Sequence, residues 1–148
     1  MSVTAKWYGK AQLGQYGNTA ARRVDFTADT IKVAIATSSY VPDQDAHDFF
    51  DDITNEITGT GYSAGGVTLA STTVTYDSAS NETRLDAADA SWSSSTFTGR
   101  YAIIYKSTGV AGTSPLMGYV DFGADQSVSA GTFSLVWDST GVLKTTVS

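Results

Sequence analysis

Cysteine is missing from this chain, which excludes disulfides, thiolate chemistry and sulfur-ligated zinc. Cations are scarce: 9 Lys and Arg stand against 15 Asp and Glu, for a formal charge of -6. Counterion release at phosphates needs clustered cations, so no nucleic-acid partner is expected. Histidine occurs once, at His47, too few for a multi-imidazole metal centre. No window approaches the roughly 20 apolar residues of a membrane-spanning helix, and no membrane partner is expected. The opening residues MSVTAKWYGK develop no apolar run of about 7–15 residues, so no secretory signal is predicted and synthesis in a cytoplasm is expected.

What is present is period-two alternation. The run Thr30 to Thr37 places Ile31, Val33 and Ile35 on one face. Val67 to Tyr76 is rich in Thr, Val and Tyr and leads through the turn-forming DSASN into Glu82–Ala87, which predicts a hairpin. Arg100–Lys106, Leu116–Phe122 and Thr132–Asp138 read as strands, and Val142–Val147 follows an STG turn at Ser139–Gly141. Between them Thr58–Gly66, Ser107–Pro115 and Gly123–Gly131 have loop composition. The 148 residues suit one domain, and a chain of that length buries roughly 70% of its unfolded surface. The expected fold is all-β: an antiparallel sandwich or barrel, jelly-roll-like, spanning residues 29–148. Residues 1–28 are expected to form an N-terminal arm or edge strand, with Val3–Gly14 read as a strand or as an arm ordered by another subunit.

The stretch TIKVAIATSSYVPDQDAHDFFDDITNE (Thr30 to Glu56) joins an apolar strand to five aspartates, a glutamate and the histidine. Pro42 ends the strand, and Asp43 or Asp45 can accept hydrogen bonds from the amides of a first helical turn. Acids there also sit at the positive end of the helix dipole, worth about 0.3–1 kcal/mol each when exposed. Phe49, Phe50 and Ile53 form an apolar stripe able to dock on a sheet. One short helix is therefore predicted near residues 43–53, with His47 exposed on it.

Chemical readings of the same stretch fit poorly. A calcium loop needs oxygen ligands around a tight glycine turn. DQDAHDFFDDIT (Asp43 to Thr54) has acids at the first, third, sixth, ninth and tenth places, but lacks the glycine and carries two phenylalanines where the loop must bend. His47 could pair with Asp43 or Asp51 only as an adventitious site. A nucleophilic triad would have only His47 as its base, and no G-x-S-x-G elbow is present. Two carboxylates suffice for glycoside hydrolysis, and Asp45 and Asp48 are the acids to test for it. The glycine-rich TGTGYSAGG (Thr58 to Gly66) has neither a G-K-[ST] ending nor a strand-to-helix context, so it reads as a loop. No enzyme activity is expected; no catalytic, cofactor-binding or metal residue is assigned, and no cofactor is called for.

The tryptophans Trp7, Trp92 and Trp137 fit either core and interface packing or stacking on sugars. Charge is also uneven. Residues 1–32 carry Lys6, Lys10, Arg22, Arg23 and Lys32 against Asp25 and Asp29, whereas Val33 to Thr83 holds eight acids and no Lys or Arg. A basic end could pair with the acidic face of a neighbouring copy, or the charges could simply be solvated.

The segment Asp29–Asp77 resembles small virion proteins encoded in the structural gene clusters of tailed bacteriophages. The resemblance continues through Leu85–Tyr105, Pro115–Asp125 and the final TFSLVWDSTGVLKTTV. Its most specific pieces are TSSYVPDQDAH and TNEITGTGY, since neither is a general β-sheet pattern; Gly14–Phe26 departs from it. The resemblance implies a structural component of the particle, a capsid decoration or cement protein on the outer shell. It further implies the major capsid protein as partner, a homotrimer, and location on the virion. A tail or head-fibre component with a host-glycan-binding β-domain is the alternative, favoured by exposed Trp or Tyr around Trp92 and the Ser107–Pro115 loop. The resemblance carries no catalytic residue set.

Overall fold

The computed structural model describes residues 2–17 and 19–148, so Met1 and Asn18 of the expected arm lie outside the described residues. Alternating β-branched and aromatic residues form nine strands. They are β1 (Ser2–Val3), β2 (Lys6–Trp7), β3 (Ile31–Ala36), β4 (Val67–Thr68), β5 (Thr73–Asp77), β6 (Glu82–Asp86), β7 (Ala90–Lys106), β8 (Leu116–Trp137) and β9 (Leu143–Thr146). The larger sheet runs β1-β8-β7-β3-β4, with β2 also on β8; the smaller runs β5-β6-β9. Every pairing is antiparallel except the short β1–β8 contact. The sheets pack together without closing a barrel, so the expected sandwich holds.

Both faces of the β3–β7–β8 sheet are buried. One face contributes Val33, Ile35, Ala102, Ile104 and Val120 to the main core, which Leu85 and Leu143 of the smaller sheet close from the far side. The opposite face presents Ala34, Ala36, Ile103, Tyr105 and Tyr119 to a second cluster, covered by Tyr8, Ala11, Tyr40, Phe50 and Ile53. Burial of each large aliphatic side chain contributes about 1.5–3 kcal/mol.

Several expectations need correction. Val67–Tyr76 is two strands, broken by Ser71 in the left-handed region at φ 54°. The strand expected over Arg100–Lys106 begins ten residues earlier, at Ala90, and β8 continues through the predicted Gly123–Gly131 loop. There Gln126, Ser127, Val128 and Gly131 pair with β7, because a long partner strand supplies hydrogen bonds that Ser and Gly composition does not advertise. Loop character survives at two places: Ser129–Ala130 bulge opposite Thr96, with Ala130 at φ 48°, and Phe122–Asp125 is extruded opposite the single residue Arg100, since Gly99 faces Gln126 and Tyr101 faces Asp121.

The N-terminal segment is strand only at its two short ends, and then becomes a helix, α1 (Gly9–Tyr16). GKAQLGQY has two glycines and no side-chain cap, so local propensity does not account for it. Tertiary contact does. A Cβ on Gly14 would lie 2.4 Å from that of Arg22, so only glycine permits this close approach. The helix predicted near 43–53 is instead an Asp-capped turn followed by a single 3₁₀ turn, Phe50–Asp52.

Candidate functional site

In the Asp-rich segment Asp43, Asp48 and Asp52 bond to groups of their own chain, while Asp45 and Asp51 are exposed. Asp43 Oδ1 accepts the backbone N–H groups of Asp45 and Ala46, each at 3.0 Å. Those amides, Ala46 first, hold its carboxyl below the usual carboxylate range. The capping chemistry anticipated for Asp43 is therefore real but closes a turn. Asp52 Oδ2 accepts the N–H of Asp48 at 2.8 Å. Asp48 in turn pairs with Arg22, whose guanidinium sits 5.5 Å from the centre of the Phe49 ring. Gly9 N–H donates to the Gln44 carbonyl at 2.8 Å, and Gln44 Nε2 donates to the Trp7 carbonyl at 2.7 Å. The basic end and the acidic segment thus meet within one molecule, which uses Arg22 without a neighbouring copy.

His47 is half-buried rather than exposed on a helix. Its Nδ1 lies 2.9 Å from the Tyr40 hydroxyl, which is 2.7 Å from the hydroxyl of fully buried Tyr8. Burial pushes the Tyr40 hydroxyl up to about 12, against a smaller opposing pull from the Tyr8 bond. Burial, reinforced by Tyr40, raises Tyr8 further. Both phenols stay protonated near neutrality, so the row Tyr8–Tyr40–His47 ties the start of α1 to the segment after β3 by hydrogen bonds. No serine or threonine hydroxyl is hydrogen-bonded to His47 among the described residues, and none is placed for activation by it.

The loop Asn55–Gly66 is knotted around Glu56. Glu56 Oε1 accepts the Tyr62 hydroxyl and the Gly65 N–H, both at 2.6 Å. The Tyr62 hydroxyl accepts the Ile35 N–H at 3.0 Å, and the Tyr105 hydroxyl donates to the Gly65 carbonyl at 2.7 Å. Burial and then the Glu56 bond raise the Tyr62 hydroxyl well above its ordinary range. Gly66 has φ 75°, and a Cβ there would come within 1.9 Å of the Val33 carbonyl oxygen. The glycine run is therefore a fitted joint against β3, as loop composition suggested, rather than a phosphate cradle.

No group of three or more Asp, Glu or His side chains among the described residues converges to hold a metal ion. Trp92 is 3% exposed and stacks among Tyr62, Phe97 and Phe133, so it offers no platform to a sugar. Trp137 is buried, and half-buried Trp7 donates its Nε1–H to the Lys144 carbonyl at 2.8 Å.

The open part of the surface lies elsewhere. A groove of about 460 Å³ separates α1 and Val24–Phe26 from the inner face of the β5-β6-β9 sheet. Trp7, Phe26 and Leu85 line it, with Tyr16 and Val74 on opposite walls. Tyr16 is 83% exposed and Tyr76, on the same strand face as Val74, is 56% exposed. Sequence reading passed over these residues, since alternating Val and Tyr in a hairpin normally signals core; only the charge-free composition around them was a clue.

Comparison with known proteins finds no family model, no curated relative and no solved structure that matches this chain.

Proposed function

We propose that this chain is a non-enzymatic structural protein of a bacteriophage particle, a decoration or cement protein bound to the outer surface of the major capsid shell. The observation that carries the reading is the use made of its two most distinctive stretches. TSSYVPDQDAH holds the Tyr40–His47 contact and the Asp43 turn, and TNEITGTGY holds the Glu56–Tyr62 knot. Both fold their loops by internal hydrogen bonds, and the second is tied to the central sheet through Tyr62 and Tyr105. Such a rigid β-domain supports a role played by shape and surface, with buried interface spanning neighbouring capsid subunits and resisting internal pressure. The copies would assemble as homotrimers at local threefold positions.

Antibody labelling of purified particles, viewed by electron microscopy, tests this. Label spread over the head is the expected result. Label confined to the tail or to projecting fibres overturns the cement role and favours the second reading, a tail or head-fibre component that binds host glycans. That reading now rests on the exposed rings of Tyr16 and Tyr76 beside the groove rather than on Trp92. Saturable signal on a glycan array, lost on Tyr16→Ala with the fold intact, would support it.

A further inference from the structure

A cavity of about 240 Å³ opens beside the second core cluster, between β3, the end of β7 and the turn that follows it. Its walls include Lys32, Phe50, Tyr105, Ser107, Val110 and Ser114. Lys32 faces Tyr105 across the β3–β7 ladder, so both side chains leave the sheet on the same side. Lys32 Nζ and the Tyr105 hydroxyl flank Gly65: a Cβ there would lie 3.4 Å from the first and 3.1 Å from the second. Phe50 is backed by Tyr105, with the two rings stacked and their centroids 4.1 Å apart.

The side-chain hydrogens around this cavity fall into two sets. Those of Tyr105 and Ser114 are used on the Gly65 and Val110 carbonyls, at 2.7 and 2.8 Å. Those of Lys32 and Ser107 meet no acceptor among the described residues; Ser107 Oγ itself accepts the Gly109 N–H at 3.3 Å. Charge is equally one-sided. Arg22, Arg84, Arg100, Lys106 and Lys144 are all ion-paired, whereas half-buried Lys32 has no acid within 4 Å among the described residues. No carboxylate lines the cavity. Asp51 lies against Gly112, and Glu56 is bonded to Tyr62 and Gly65. A partly desolvated ammonium without a counter-charge is unfavourable, and an anionic occupant relieves it.

We infer that this cavity binds a small carboxylate with a short apolar or aromatic body. Its oxygens accept from Lys32 Nζ and Ser107 Oγ, and its body lies on Phe50 and Val110. The free donors select a negatively charged, acceptor-rich head. The apolar walls select the body, since a cavity of about 150 Å³ already admits benzene. The site shares no residue with the groove beside α1 and does not depend on the particle role.

Titration of the full chain with benzoate, followed through its amide resonances by NMR, tests the site. The amides of Phe50 and Ser107–Ala111 should shift and saturate, with a Kd of about 1–10 mM, the scale of so small a ligand. Benzamide keeps the ring without the charge, and inorganic phosphate keeps charge without the ring. Each should bind at least about tenfold more weakly than benzoate. Lys32→Gln should weaken benzoate by a similar factor while the other resonances stay in place. Val110→Glu sets a carboxylate at the rim, on a residue 62% exposed, and should abolish the shifts. Shifts that never saturate, equal binding of benzamide or phosphate, or benzoate binding unchanged in either variant overturn the inference. If Lys32→Gln fails to fold, Val110→Glu decides between the outcomes.

Discussion

The Asp43–Ile53 segment and strand β5 invert what their compositions suggest. The first carries the histidine and five acids, with Arg22 reaching it from the N-terminal segment. His47, Asp43, Asp48 and Asp52 bond to groups of the chain while Asp45 and Asp51 stay exposed, and the segment lies closed over the Ile103–Tyr105 face of the central sheet. The second is Thr-Val-Thr-Tyr-Asp, a composition with no chemistry to remark on, yet its edge is open and its apolar side chains are exposed. Titratable groups mark a site only when they are left unsatisfied and convergent. Where they bond to one another, the surface available to a partner is found by looking for hydrogen-bonding edges and apolar area that the fold leaves uncovered.

Ile103→Ala should break the closed region most severely. The side chain is fully buried in the second cluster, and its loss should cost about 2–5 kcal/mol in chemical denaturation. Tyr40→Phe tests the hydroxyl row beneath the acidic segment. It orphans the buried Tyr8 hydroxyl, and the denaturation midpoint should fall by the equivalent of about 1–3 kcal/mol. A Tyr40→Phe protein as stable as the parent would mean the row fastens nothing.

Arg22→Ala should act more locally. The Arg22–Asp48 pair is about a fifth to a quarter exposed on each side, so the global loss should be about 1 kcal/mol. Hydrogen exchange should accelerate in α1 and across Asp43–Ile53 well before the central strands respond. Uniform acceleration throughout the chain would show that the two regions are not latched to each other.

Alkali should loosen the closed region before the open one. Burial raises the hydroxyls of Tyr40 and Tyr105 to about 12 and lifts Tyr8 and Tyr62 further. Unfolded tyrosines ionise near about 10, so their contribution is fully present below that pH. It is lost as pH rises from there through about 12, because the unfolded chain releases protons that the folded one still holds. Phenolate absorbance followed with circular dichroism should show late tyrosine ionisation coinciding with loss of structure. The smallest effect on stability belongs to the open region: Thr75→Lys should stay within about 0.5 kcal/mol of the parent, since Thr75 is exposed.

Much of the fold was legible because burial imposes a period. Ile31, Val33 and Ile35 alternate in sequence and share the main core, and the predicted hairpin forms, with Val74 opposite Leu85. Apolar runs at Ala102–Tyr105 and Leu116–Val120 announced the central strands in the same way. What escaped reading lacked such a period. Ala90–Gly99 and Gln126–Gly131 are mostly Ser, Thr, Gly and Ala with only Trp92, Phe97 and Val128 as large apolar residues, and they become strands because each provides the other's ladder. The α1 helix was missed for a related reason: its stripe of Ala11 and Gly14 is too small to register as apolar, and it exists by close contact with Arg22. In the candidate site, Asp43 or Asp45 was expected to cap a helix; Asp43 does accept backbone amides but closes a turn, and the half-burial of His47 depended on where Tyr8 and Tyr40 came to lie.

By itself the sequence determined the all-β class, the strands with apolar alternation, the amide-accepting role of Asp43 and the loop character of the glycine run before β4. Each of these follows from interactions within a few residues or from a periodicity that solvent exclusion enforces. Tertiary structure alone decided which acids meet which cations, that Trp92 lies inside, and that the edge of β5 lies outside. Those are contacts between residues tens of positions apart, and the chain encodes them only through the way its two sheets and its loops close on one another.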